Sequence, residues 1–452
     1  MAAANRREFI RAMTASGLAC CSYTSRAMDL PAGEEPPKFW PLDRERIVFL
    51  GDSITQGGHY VAYFETLLRL RFPRKSIEIH NHGISSETIS GTSEPDHDPR
   101  RPWAHERFTR DVADWRPTVV FSCFGMNDGN YHPFDQERFE KYQAGIQRLI
   151  ERTEKEAGTK RLYISTPPPF DAYQRNNGDK TAVHYGYKYP ALNYDETLGR
   201  YADWLLTLQK QGHKLIDLHG PLNRHLAERR KKRVSFTLMP DAVHPNSTGH
   251  AVMAIAMAKQ VGLNTSRDEL VIDGTQNRPA TAKLGRAELK SGDTNKAVLE
   301  WHVPPAWAFG ADVESESLAL EGVEQDFNRL MLNMKSLKPG RYQVELQCGT
   351  ATPQNKAFSA EELSKGVNVA PLLPTDSPDR TAGLTLAAAV MKHRQESSAA
   401  WRNRAMKLPR NDEKRSPQLE ELAREAEAAA RLSAQAGTLT GPVLVTITRQ
   451  DG

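Results

Sequence analysis

The stretch "IVFLGDSITQGG", residues 47–58, decides how this 452-residue chain is read. A short apolar run stops at Gly51, Asp52 and Ser53 follow at once, and a glycine pair closes the segment. A strand that gives way to a helix across such a turn is the opening of an α/β unit. Ser53 has three possible roles there: helix cap, phosphate cradle or nucleophile. The turn lacks the lysine of a G-x-x-x-x-G-K-[ST] loop and the spacing of G-x-G-x-x-G, which removes the phosphate reading.

Working outward, four more apolar runs follow: "SIEIHN" (76–81), "TVVFSCF" (118–124), "RLYIST" (161–166) and "KLIDL" (214–218). Amphipathic stretches such as "YVAYFETLLRLRF" and "FEKYQAGIQRLIERTEK" lie between them, and "TGHAVMAIAMAKQVG" ends the series. Apolar strands alternating with helices predict a parallel sheet covered on both faces. Residues 43–265 therefore read as one three-layer α/β/α domain. The pattern then changes. "KAVLEWHV", "SLALEGV", "RLMLNMKSL", "RYQVELQCG" and "GPVLVTIT" read as strands. "TAGLTLAAAVMKHRQESSAAWRNRAM" and "PQLEELAREAEAAARLSAQAG" read as helices. Residues 266–452 are expected to form a smaller α+β module, or an elaboration packed on the first domain. The basic run "ERRKKR" (228–233) reads as a solvated face.

The chain is 39% hydrophobic and 26% charged, with a formal net charge of +4. No run of about 18 apolar residues is present to span a membrane. Arg6 and Arg7 stand just before Phe9 and Ile10, a small-residue run follows, and "SRA" precedes Met28. Residues 1–27 thus resemble a twin-arginine export signal, residues 28–42 a linker, and the protein is expected to be periplasmic or extracellular. Removing residues 1–27 takes four Arg and one Glu, so the charge falls from +4 by 3 to +1. That leaves no polycationic surface for nucleic acid. Cys123 and Cys348 sit in separate strand-like runs and are expected to be buried thiols rather than a disulfide framework.

Open α/β sheets place ligands at the carboxyl ends of their strands. The second strand ends at Gly83, the third runs into "GMNDG" with Gly125, Asn127 and Asp128, and beyond the fifth comes "MPDAVHPNSTGH" with Asp241 and His244. A serine nucleophile needs a base, and the base needs an orienting group. Asp241 stands three positions before His244, close enough for one turn to bring carboxylate to imidazole. The Ser53 and Gly83 N–H groups and the Asn127 amide are candidate donors to an oxyanion. Each residue also has a plainer reading: Asp52 as a helix-dipole partner, Asn127 and Asp128 as turn formers, His244 as a surface histidine. His80 and His82 alternate on a strand without a third ligand at metal spacing, so they read as structural. "SEPDHDPRRPWAHERF", after Gly83, reads as a polar surface loop or one wall of a site.

Taken together, "GDSIT", Gly83, "GMND" and "DAVHP" resemble the four blocks of the SGNH hydrolase (GDSL esterase) family, in order. The resemblance covers about residues 43–265. It implies a five-stranded, flavodoxin-like parallel sheet with Ser53, Asp241 and His244 as the triad. It implies Ser53, Gly83 and Asn127 as the oxyanion hole, with Asp52, Gly125 and Asp128 in support. It implies no metal and no organic cofactor. The function implied is hydrolysis of carboxylic esters through an acyl-enzyme. The loop "PPPFDAYQRNNGDKTAVHYGYKYPALNYDE" carries Tyr173, Tyr185, Tyr187, Tyr189 and Tyr194, which suit sugar faces and hydroxyls or, equally, a plain lid. The expected partner is a small-molecule or polysaccharide ester, and the expected reaction is O-deacetylation of carbohydrate. A short-chain lipase or lysophospholipase-type esterase, and a non-catalytic glycan-binding protein on the same scaffold, are the alternative readings.

Overall fold

A computed structural model of the protein describes residues 39–175, 185–273, 280–292, 295–403 and 416–450. The export-signal reading of residues 1–27, and most of the linker, lie outside the described residues. The described residues belong to one compact unit.

The first sheet holds β1 (Arg44–Gly51), β2 (Ser76–Gly83), β3 (Val119–Cys123), β4 (Leu162–Ser165) and β5 (Lys214–Ile216) in the order β2-β1-β3-β4-β5. Every pairing is parallel. This is the flavodoxin-like sheet the resemblance implies. Residues alternate between its faces, as pleating requires. Ile47 and Phe49 point to the helices His59–Arg71, His219–Lys232 and Ser247–Gln260. Val48 and Leu50 point to the helices Ala104–Asp111, Gln136–Lys155 and Tyr194–Thr207. On the first face Phe49, Phe121 and Tyr163 stack from strand to strand with centroids 5.0 and 4.8 Å apart. Cross-strand aromatic pairs of this kind add to area burial.

Two further sheets come from the second half. β6 (Asp268–Asp273), β7 (Thr281–Ala282), β10 (Leu330–Lys335) and β13 (Val367–Asn368) pair in the order β13-β10-β6-β7. β8 (Arg286–Gly292), β9 (Lys296–His302), β11 (Arg341–Cys348), β12 (Gln354–Ser359) and β14 (Val443–Gln450) pair in the order β12-β11-β14-β9-β8. One apolar core takes Leu270 and Leu332 from the first of these sheets and Leu299, Val344 and Val445 from the second.

"SLALEGV" is not a strand. Residues Ser315–Leu320 form a helix instead. Apolar alternation over so short a run does not separate the two periods. The helical turn stacks Ser317 under Glu321, so both reach one imidazole: His225 Nε2 lies 3.0 Å from Ser317 Oγ and Nδ1 lies 2.7 Å from Glu321 Oε1. In an extended chain those two residues stand about 13 Å apart. The run "ERRKKR" is only partly solvated. Arg229 is buried and pairs with Glu314 and Glu316, and Arg230 donates to Asp171 Oδ2 at 2.5 Å.

β2 is an edge strand, and an open edge needs covering. Helices Pro378–Asn403 and Ser416–Gly437 supply the cover with charged groups. The Ile77 carbonyl accepts from Arg69 Nη2 at 3.0 Å, and the Ile79 carbonyl accepts from Arg394 Nη1. The Ile79 N–H donates to Glu425 Oε1 at 3.3 Å. Arg69 and Arg394 both pair with Glu65, and Arg394 also pairs with Glu425, all four side chains being buried. Removing one partner of such a network strands a charge in a dry interior. Glu425→Ala should therefore cost about 3–5 kcal/mol, read as a fall in the urea midpoint. An unchanged midpoint would show that the β2 edge does not depend on this network.

Candidate active site

Strand register assembles the site. Gly51 lies level with Gly83 on one side and Cys123 on the other, so the segments after β1, β2 and β3 leave the sheet at one rim. The chain moves from β1 to β2 and then across to β3, and ligand crevices form at such a switch.

After Gly51, Asp52 caps the short helix Ser53–Gly57: its Oδ1 accepts from Ile54 N at 2.9 Å. Asp52, not Ser53, is thus the cap. Burial pushes the Asp52 carboxyl up to about 7, against the hydrogen bond from Ile54. The freed Ser53 hydroxyl lies 2.8 Å from His244 Nε2. On the far side of the ring, His244 Nδ1 lies 2.6 Å from Asp241 Oδ2. Asp241 Oδ1 meanwhile accepts from the N–H groups of Val243 and His244, at 3.0 and 2.7 Å. One carboxylate therefore shapes the turn and orients the imidazole. Asn246 then caps the helix Ser247–Gln260 through Gly249 N at 2.8 Å, which anchors the segment just behind His244. The Asp241 hydrogen bond raises the His244 pKa, outweighing burial. Burial raises Asp241, but the bonds from His244 and Val243 reverse this and hold it well below the usual carboxylate range.

Asn127 is buried with both ends of its amide in use. Oδ1 accepts from Tyr131 Oη at 3.0 Å and from Arg101 Nη1 at 3.1 Å, and Nδ2 donates to the Glu87 carbonyl at 3.1 Å. Asp128 Oδ1 accepts from the N–H groups of Ile89 and Ser90, at 3.0 and 2.8 Å, tying the turn after β3 to the loop after β2. Burial raises its pKa to about 6. Gly125 holds φ at +124° against Pro167, which a side chain would strain.

Gly83 does not stand where the sequence placed it. Its N–H donates to Asn81 Oδ1 at 3.0 Å, and it does not line the cavity beside Ser53. The glycine is required for packing instead: a Cβ would come within 2.2 Å of Gln56 N and 2.6 Å of Thr55 C, on the helix that carries Ser53. Ser85 reaches the cavity instead, and so does Ser86, which is held at φ +64°. The Ser86 N–H, like that of Ser53, has no acceptor among the described residues.

The cavity has a volume of about 470 Å³. Ser53, His244 and Asn127 face it, and Glu94, Asp96, His97 and Arg101 from the polar insert form one wall. Tyr187 and Lys188 contribute another, and Tyr187 Oη donates to Asp241 Oδ2 at 3.0 Å. Glu94, Arg101, Tyr131 and Ser86 were not singled out from sequence. Arg100 is exposed and Arg101 buried, and nothing in their spacing separates them. Cys123 and Cys348 are buried free thiols, as expected. His80 and His82 pack against Trp115 on β2, and His82 Nδ1 meets the Asp111 carbonyl at 2.6 Å. Among the described residues no helix is long and apolar enough to cross a membrane.

Comparison with known proteins agrees with this geometry. Residues 49–252 match the GDSL-like lipase/acylhydrolase family. An acetylxylan esterase of Geobacillus stearothermophilus is 24% identical over 244 residues, covering 49% of this chain and 96% of that protein. The solved structure of a gut microbial diltiazem-metabolizing enzyme superposes with a TM-score of 0.63 at 19% identity, covering 91% of this chain and 99% of its own. The structural similarity shows that the shared fold continues into the C-terminal half. Residues 49–252 are thus similar to the GDSL-like lipase/acylhydrolase family, and the chain is a carboxylic ester hydrolase.

Proposed function

We propose that this hydrolase removes acetyl groups from carbohydrate or polysaccharide through an acyl-enzyme on Ser53. The observation that carries the reading is the unbroken chain Ser53–His244–Asp241 opening onto a cavity walled by charged and hydroxyl side chains. The acetylxylan esterase relative supports the substrate class.

In this reading His244 Nε2 takes the Ser53 proton as Oγ attacks the ester carbonyl carbon. The charge that develops on the carbonyl oxygen is met by the Ser53 N–H, the free hydrogen of Asn127 Nδ2 and the Ser86 N–H, which replaces Gly83 as the third donor. Collapse breaks the bond to the sugar oxygen, which leaves with the proton from His244. Water then enters by the same route, releasing acetate and restoring Ser53. Asp241 holds the proton on Nδ1 and stabilises the imidazolium. Asp52, Gly125 and Asp128 hold the turns. The cavity wall offers charged and hydroxyl side chains that can hydrogen-bond to sugar hydroxyls. The twin-arginine reading of residues 1–27 would put this activity outside the cytoplasm. Recovery of the full-length chain from the cytoplasm alone would overturn that placement.

Ser53→Ala should lower kcat by about 10⁵–10⁶-fold, as loss of a triad nucleophile does elsewhere. A loss under about tenfold would remove Ser53 as nucleophile. Activity should rise with pH as His244 deprotonates, with a midpoint above the ordinary value of about 6.5, because its bond to Asp241 favours the charged ring. A flat profile between about pH 5 and 8 would remove His244 as the base. Acetylated xylan or acetylated sugars should turn over faster than long-chain acyl esters. The reverse order would defeat the substrate assignment.

A further inference from the structure

We infer that Arg101, clamped by Glu94, positions the oxyanion donors: it fixes the Asn127 amide and the Ser86 backbone from behind. This rests on the proposed oxyanion role of Asn127.

The guanidinium is buried and forks onto Glu94, with Nε to Oε2 at 2.5 Å and Nη2 to Oε1 at 2.6 Å. Its remaining nitrogen, Nη1, donates to Asn127 Oδ1 at 3.1 Å and to the Ser86 carbonyl at 3.3 Å. One planar group therefore holds two of the three donors. A guanidinium and a phenol hydroxyl bound to the same oxygen also decide which way the amide faces. Arginine cannot accept, so the atom facing Arg101 must be oxygen. The Glu87 carbonyl cannot donate, so the atom facing it must be nitrogen. The flipped amide would set N–H against N–H and C=O against C=O. Only the orientation that presents Nδ2–H is left, with its second hydrogen free to meet a substrate oxygen. Donation into Oδ1 also polarises that N–H.

Ser86 needs a similar hold. A left-handed conformation is strained for a residue that carries a side chain and persists only where its surroundings impose it. The bond from Arg101 to its carbonyl is one such restraint. The Glu94–Arg101 pair lies within the polar insert 93–108, and both residues line the cavity. Lysine keeps the charge opposite Glu94 but lacks the fork that reaches acceptors on three residues at once.

The test is a mutant cycle on the full-length enzyme, with p-nitrophenyl acetate as substrate and kcat and KM measured separately. Arg101→Lys should lower kcat by about 10- to 100-fold, the size of a small misplacement of catalytic groups, with KM changed less than about threefold. In the Asn127→Ala background the same substitution should cost at least about threefold less, because the amide it positions is gone. Tyr131→Phe removes only the other donor to Oδ1, and its loss should shrink in the same way. This second variant keeps the test open where Arg101→Lys fails to fold. Equal fractional losses in both backgrounds, or a loss carried by KM, would overturn the positioning role. The oxyanion reading itself is tested separately. Asn127→Ala alone should cost about 10²–10³ in kcat, and a change below about threefold would end that reading whatever Arg101 does.

Discussion

Close packing of the Ser53 helix against the end of β2 is the constraint on which the site depends. Gly51, Gly83 and Cys123 share one level of the sheet, so three loops leave at one rim. The helix Ser53–Gly57 sits directly on Gly83, at a distance no side chain allows. That contact sets the height of Ser53 above the sheet. Asp52 takes over the cap, which frees the serine hydroxyl for His244. The Asp241 turn supplies the remaining fixed point, because one carboxylate satisfies two backbone N–H groups and the imidazole together.

The second half of the chain contributes to the same frame. β2 carries Gly83 at its end and is the sheet's edge, and its outward backbone groups are met by Arg394 and Glu425 from the C-terminal helices. Other ties run parallel to this one. Trp307 Nε1 donates to the Tyr63 carbonyl at 3.1 Å, and His225 and Arg229 bind the helix Ser315–Leu320 and the glutamates that flank it, Glu314 and Glu321. A buried network like this is worth little beyond what an apolar contact would give, but it is costly to break in part. It makes the position of β2, and through it the Ser53 turn, sensitive to residues more than 300 positions away in sequence.

The parallel sheet was legible because its strands are buried on both faces and read as unbroken apolar runs between amphipathic helices. The chemistry at the strand ends was legible because serine, histidine and aspartate keep their chemical roles whatever their spacing. β6, β8 and β12 were missed: they are short, mixed or exposed runs such as "QNKAFS", whose alternation comes from neighbours and not from the strand itself. Gly83 was misassigned for a physical reason. A glycine marks close approach, but the sequence does not say whether a ligand or the chain itself approaches, and here it is Gln56. Ser86 carried no flag because serine does not advertise a left-handed backbone. Arg101 was hidden among polar neighbours, since the burial of an arginine depends on a partner, Glu94, that only the folded loop brings to it.

The central claim is that Ser53 carries the acyl group. Rapid quenching of the wild-type enzyme during turnover of an acetylated xylooligosaccharide, followed by mass spectrometry of its peptides, tests this most directly. The account predicts an acetyl adduct on the peptide bearing Ser53, formed faster than acetate is released at steady state. Continued hydrolysis with that peptide unmodified, or with the adduct on another residue, would contradict it.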